Sequence, residues 1–166
     1  AIEFMSKNIQ VKDREVRIQI WDTAGQETYR SITRTYYKSS TCAFIIYDIT
    51  DRKNFANVSS WLKECREMCY KDILICLVGN KTDLENNRVV SKEEGEKFAE
   101  DNGLIFFETS AKTGQNLEEM FFKCSGDIVA KIENGGIVVD DFTSGIKIGK
   151  YPNKSIQQNV AKKKKG

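Results

Sequence analysis

The sequence runs to 166 residues, 40% hydrophobic and 30% charged, with a formal net charge of +2. Such a chain suits one domain with a substantial core, and without a run of 18 apolar residues it offers no candidate membrane-spanning helix. The charge is uneven: residues 145–166 carry seven lysines and no acid, whereas the other 144 carry 19 basic and 24 acidic side chains. An acidic body with a basic tail argues against a domain that grips nucleic acid.

Along the chain, residues 7–11 and 16–21 are predicted strands joined by the charged turn Lys12-Asp13-Arg14-Glu15. In the second, Val16, Ile18 and Ile20 alternate with Arg17 and Gln19, so one face is buried and one is wet. Residues 43–47 and 73–78 are continuous apolar runs, as in strands covered on both faces. Residues 104–108 form a third short run. Helices are predicted over about 54–70, 92–102 and 117–133. Ser91 stands three residues before Glu94 and Asn116 three before Glu119, so each can cap its helix. Gly103 and Gly135 follow as stop signals. Strands alternating with helices imply parallel strands with helices on both faces. After Gly136 the pattern fades, which predicts a domain over 1–135 and a flexible tail over 136–166 with a polybasic end.

Five cysteines, Cys42, Cys65, Cys69, Cys76 and Cys124, are an odd count without a disulfide rhythm, and the sequence has no histidine to complete a zinc site. They read as small buried or half-buried thiols in a reducing cytosol.

Three polar loops follow strands, the place where ligands bind in open α/β sheets. The first is Trp21-Asp22-Thr23-Ala24-Gly25-Gln26-Glu27. The Asp22 carboxylate can hold magnesium through water, and Gly25 lets a backbone N–H approach phosphate closely. Gln26 could then align an attacking water. Taken alone, an Asp-x-x-Gly sequence is more often a simple turn. The second loop is Asn80-Lys81-Thr82-Asp83. A carboxylate there can accept both the ring N–H and the amino group of guanine, a donor pair that adenine lacks. The Lys81 stem is long enough to lie along a purine face. A polar turn is the other reading. The third loop, Thr109-Ser110-Ala111-Lys112, can offer the Ala111 N–H to the guanine carbonyl oxygen.

In this order, each after a strand, the three loops resemble those of the small-GTPase superfamily. Five short segments narrow the resemblance to the Rab family: Ala1-Ile2-Glu3-Phe4, Arg17-Ile18-Gln19-Ile20-Trp21, Tyr29-Arg30-Ser31-Ile32-Thr33, Tyr36-Tyr37-Lys38-Ser39-Ser40 and Ile45-Ile46-Tyr47-Asp48-Ile49-Thr50. Phe4, Trp21 and Tyr36 fall where that family has an aromatic triad read by effectors, with core packing as the other reading of each. The resemblance runs from residue 1 to about 149. Glu93-Glu94-Gly95-Glu96, Gly103-Leu104-Ile105-Phe106 and Gly145-Ile146-Lys147-Ile148-Gly149 look most like the branch that serves traffic between endoplasmic reticulum and Golgi.

The resemblance implies an α/β, Ras-like P-loop GTPase fold, with a mostly parallel sheet and helices on both faces. It implies a switch in vesicle traffic that binds GTP or GDP with Mg2+, hydrolyses GTP and recruits effectors when loaded with GTP. Asp22 would order Mg2+ through water, Gly25 would donate its N–H to the γ-phosphate, and Gln26 would position the hydrolytic water. Asn80, Lys81 and Asp83 would bind guanine, with Ser110, Ala111 and Lys112 completing the base pocket. Residues 22–37 would be the mobile second switch. The implied partners are effectors, an exchange factor, a GTPase-activating protein, escort and GDI proteins, and the cytosolic face of ER–Golgi or endosomal membranes.

Some family features have no counterpart in the sequence. The family opens with a strand, a Gly-x-x-x-x-Gly-Lys-Ser/Thr loop and a first switch, whereas the only Gly-Lys pair here is Gly149-Lys150. The expectation is a fold lacking that strand, the phosphate loop and the first switch. It would hold GTP weakly and expose the edges beside the missing strand. The alternative expectation is a nucleotide-free fragment that acts only as a protein-interaction module. Thr28 and Ser39-Ser40 also differ from common family residues. Four lysines, 162–165, each contribute about 1 kcal/mol near an acidic membrane. That falls short of stable anchoring without a lipid, so a prenylated cysteine pair beyond Gly166 is expected.

Overall fold

A computed structural model describes residues 3–22, 30–137, 139 and 146. The described elements are, in order, β1 (Glu3–Val11), β2 (Arg14–Asp22), α1 (Arg30–Ser39), β3 (Cys42–Asp48), α2 (Arg52–Ala56), α3 (Val58–Met68), β4 (Leu74–Asn80), a 3₁₀ segment (Thr82–Asn87), α4 (Lys92–Asn102), β5 (Ile105–Glu108) and α5 (Leu117–Glu133). Residues 3–22, 30–41, 68–72 and those described from 125 onward form one compact unit. Cys42–Glu67 and Ile73–Cys124 form another.

In the first unit β1 and β2 make an antiparallel hairpin in which Phe4 faces Trp21 and Val11 faces Arg14. Both strands are longer than expected, and the turn shrinks to Lys12-Asp13, with Lys12 in the left-handed region at φ 54°. Along β2 the alternation holds: Val16, Ile18 and Ile20 are half-buried, and Glu15, Arg17 and Gln19 are exposed. Trp21 breaks the phase because its ring lies between those of Phe4 and Tyr36. Helix α1 carries no acidic residue in its first turn, which left it without a start signal in the sequence. Its end is closed locally, where Ser39 Oγ donates to the Thr35 carbonyl at 3.1 Å and Ser40 Oγ to that of Tyr36 at 2.6 Å. The later part of α5 buries Val129 and Ile132, and Glu133 pairs with Arg14 of β2 at 2.9 Å. Gly135, at φ 74°, ends that helix as expected: its N–H and that of Gly136 donate to the Ile132 and Lys131 carbonyls.

In the second unit β3, β4 and β5 form a parallel sheet with β4 in the centre. Ile75 to Gly79 of β4 are all buried, which accounts for its unbroken apolar run. Helices cover both faces. On one, Cys76 and Val78 pack with Met120 and Cys124 of α5, while Phe44 meets Phe121 edge-on at 5.6 Å. On the other, Tyr47 packs against Phe55 of α2 at 4.8 Å, and Phe55 against Phe98 of α4 at 6.1 Å. The cysteines are free thiols, all buried or half-buried. The Cys42 thiol is pushed far up by its hydrogen bond with Cys124 and by burial. Such thiols stay protonated and inert.

Two local expectations are corrected. The helix read over 54–70 starts earlier, at Arg52, because Asp51 accepts from the Asn54 N–H at 3.1 Å, and Asn57 divides it into α2 and α3. Asn116 does not form the expected cap. Its backbone is left-handed (φ 60°), whereas an N-cap residue is extended, and its carboxamide NH2 donates to the Glu108 carbonyl at 2.8 Å. Ser91 does form the full capping box with Glu94. Among the described residues no helix is long and apolar enough to cross a membrane.

Candidate functional site

The register of the parallel sheet sets the site. Asp48 of β3 lies beside Asn80 of β4, and Gly79 beside Glu108 of β5, so the three strands end flush. The loops that follow β4 and β5 are thereby neighbours, and the backbone joins them: the Thr109 N–H donates to the Gly79 carbonyl at 2.8 Å and the Thr82 N–H to that of Thr109 at 3.1 Å.

Side chains complete the junction. Asn80 Oδ1 accepts from the Ala111 N–H at 3.0 Å and from Thr109 Oγ1 at 3.3 Å. Ser110 Oγ donates to Asp83 Oδ1 at 2.7 Å and accepts from the Thr113 N–H at 3.1 Å. Ser110 is wholly buried while Asp83 is exposed, so a fixed hydroxyl orients a solvent-facing carboxylate. Thr82 Oγ1 donates to Gln115 Oε1 at 2.8 Å, which ties the two loops a second time. Lys81 takes a left-handed backbone (φ 72°), and its ammonium reaches Asp48 Oδ2 at 2.6 Å. That ion pair lifts the Lys81 pKa. Burial alone would raise the Asp48 carboxyl, but hydrogen bonds from Lys81 and Thr50 outweigh it and hold the acid below its ordinary value.

A second layer braces the loops from behind. Arg88 lies between two acids, with Nη1 and Nη2 each 2.7 Å from a Glu108 oxygen and Nε 2.8 Å from Glu85 Oε1. These bonds, first to Glu108 and then to Glu85, push the guanidinium pKa further up. The 3₁₀ segment is thus clamped to the end of β5. A cleft of 410 Å³ adjoins this clamp, lined by Arg88, Glu108, Lys92, Glu96 and Phe106 among others. Its cations are already satisfied, since Lys92 pairs with Glu96 at 3.6 Å.

Of the residues singled out in the sequence, Asn80, Lys81, Asp83, Ser110 and Ala111 therefore converge at one end of one sheet, with Lys112 exposed beside Ala111. Asp22 ends β2 in the first unit and is exposed. Gly25 and Gln26 lie outside the described residues. Phe4, Trp21 and Tyr36 come together, with centroids 4.9 Å and 4.3 Å apart along the row, and Phe4 is 57% exposed. Of the segment read as a mobile switch, residues 23–29 are outside the described set and 30–37 lie in α1. Sequence reasoning missed Asp48, Thr82 and Gln115. For Asp48 a signal existed, because an Asp followed two residues later by Thr favours the local turn seen here.

The arrangement gathers an oriented carboxylate, a backbone N–H and a carboxamide at one end of the parallel sheet, the types of group that can read the edge of a heterocycle. Residues 1–130 match the Ras family. Ras-related protein Rab-2B of Dictyostelium discoideum is 50% identical over 142 residues, which cover 85% of this chain and 70% of that protein.

Proposed function

We propose that this chain, which belongs to the Rab branch of the Ras family of small GTPases, reads guanine with the loops that follow β4 and β5. Its family function is that of a switch in vesicle traffic that binds and hydrolyses GTP. The observation that carries the site reading is the Ser110–Asp83 hydrogen bond at 2.7 Å. A carboxylate has about four lone-pair positions, so Ser110 leaves room for the two N–H donors on the guanine edge. Adenine offers neither of those donors to the acid. The Ala111 N–H would turn from Asn80 Oδ1 toward the guanine carbonyl oxygen, and Lys81 and Lys112 would flank the base.

Hydrolysis calls for groups on the first polar loop. Asp22 supplies a hard, exposed oxygen donor at the end of β2, which fits a water-mediated contact to Mg2+. Bound there, Mg2+ would neutralise phosphate charge. Gly25 would donate a backbone N–H to the γ-phosphate, and Gln26 would orient the attacking water, the reaction being accelerated by a GTPase-activating protein. The Phe4–Trp21–Tyr36 row would be the surface that effectors read. Exchange factor, escort and GDI proteins would complete the set of partners. The lysine-rich end, joined to a prenylated cysteine, would hold the protein on the cytosolic face of ER–Golgi membranes.

The test is nucleotide preference. Asp83→Asn places an amide where the acid stood, so it should weaken GDP about 100-fold through unpaired donors and improve xanthosine diphosphate, whose carbonyl oxygen on C2 can accept from the new NH2. Calorimetric titration of both variants with both nucleotides gives the answer. An unchanged ratio of the two affinities contradicts the role of Asp83.

A further inference from the structure

The segment Ile45-Ile46-Tyr47-Asp48-Ile49-Thr50 was singled out for its resemblance alone, and base recognition as described makes no use of Asp48. Yet Asp48 is the most heavily anchored acid at the sheet end. Its Oδ1 accepts from the Thr50 N–H at 2.8 Å and from Thr50 Oγ1 at 2.6 Å. Its own N–H donates to Asn54 Oδ1 at 2.8 Å. The next residue, Ile49, donates its N–H to the Asn80 carbonyl at 3.1 Å, which ties the segment to the base loop. Only Oδ2 reaches outward, to Lys81 Nζ at 2.6 Å, with the Asp48 side chain 19% and the Lys81 side chain 50% exposed.

Lys81 needs such a partner. A long flexible stem has much rotamer freedom to lose, and a left-handed backbone is uncommon for a residue other than glycine. Gripping the ammonium at its far end fixes the methylenes between, so that their apolar flank is already laid out before a purine arrives. We propose that Asp48 is a positioning residue for nucleotide binding: it holds the Lys81 stem as a preformed platform for the purine face and contributes to affinity without contributing to base selectivity. This rests on the reading of the neighbouring loops as a guanine pocket, with Asp83 as the group that discriminates.

The division of labour is testable with GDP and inosine diphosphate, which lacks the 2-amino group read by Asp83. Asp48→Asn keeps an oxygen that can accept from Thr50 and removes the charge. It should weaken both nucleotides equally, by about fivefold, the upper range for a partly exposed ion pair. In a Lys81→Met background the same change should have no further effect. A persisting loss in that background, or a loss confined to GDP, overturns the proposal. Titration of the Lys81 ammonium by NMR in the nucleotide-free chain separates this idea from the pocket reading. Lys81 should titrate above ordinary lysines and fall back toward the ordinary value in Asp48→Asn, with Asp51 and Asp83 still raising it. Ordinary titration of Lys81 in the unaltered chain overturns the pair itself, whatever the nucleotide results. Failure of GDP to be preferred over ADP, with the Lys81 titration still raised, counts against the pocket alone.

Discussion

Glu94 shows how one side chain can serve a helix end and a distant contact together. It closes the capping box by accepting from the Ser91 N–H at 3.0 Å, and it receives both Arg52 nitrogens, at 2.6 and 3.0 Å. Arg52 in turn donates to the Val89 carbonyl. The Arg52 hydrogen bond, followed by that from Ser91, lowers the Glu94 pKa from 4.5 to about 2. A lowered folded-state value means that the contribution is complete above pH 4.5 and is lost as pH falls toward 2. Because the Glu94 side chain is 42% exposed, solvent screening keeps the contribution to about 1 kcal/mol. Glu94→Gln keeps an acceptor for the cap but cannot titrate. Urea unfolding at pH 5 and pH 3 should therefore show the unaltered chain losing stability relative to Glu94→Gln as pH falls. Parallel losses in both would show that the Arg52 pair contributes nothing.

Among the elements, those whose signals are local were legible in the sequence. Helix α4 has the predicted bounds because Ser91 and Glu94 form the cap and Gly103, at φ 68°, provides the stop. The bounds of α5 were also read correctly, although the residue thought to start it does other work. The strands were found through their apolar runs, but their ends were set by backbone pairing, which leaves no side-chain mark, so β1 and β2 came out short. Helix α1 and the 3₁₀ segment were missed for a similar reason: one lacks a cap signal, and the other is held by Arg88 reaching to Glu108, a partner 20 residues away. In the site, residue types and loop order were legible, whereas Asp48, Thr82 and Gln115 act through contacts that depend on three strands ending together. Packing depth was equally hidden. Gly95 lies mid-helix in α4, where glycine costs about 1 kcal/mol relative to alanine. Its justification is close approach, since a Cβ there would run into the Tyr47 hydroxyl and the Phe106 ring. Gly95→Ala should therefore destabilise by about 2 kcal/mol despite its better helix propensity. Because Tyr47 Oη is buried without a protein partner, Tyr47→Phe should cost little and should relieve part of the Gly95→Ala penalty. Thermal denaturation of the two single variants and the double variant tests both statements. A stabilising Gly95→Ala would show that α4 can move away from the sheet.

For the whole molecule, the groups proposed to read the base all lie in the unit formed by Cys42–Glu67 and Ile73–Cys124. Asp22 and the aromatic row of Phe4, Trp21 and Tyr36 belong to the other unit. In the proposed base pocket the Ala111 N–H is already taken by Asn80 Oδ1, so the guanine carbonyl oxygen must displace that acceptor, whereas Asp83 keeps acceptor positions open beside the Ser110 hydroxyl. This makes the amide of Ala111 a direct reporter of the central claim. In 15N-labelled chain, GDP should shift the Ala111 amide resonance in a saturable way as its hydrogen bond passes from Asn80 to the guanine carbonyl, while ADP at the same concentration should leave it in place. Equal shifts with ADP, or saturable GDP binding that leaves Ala111 unmoved, would contradict the account of guanine recognition.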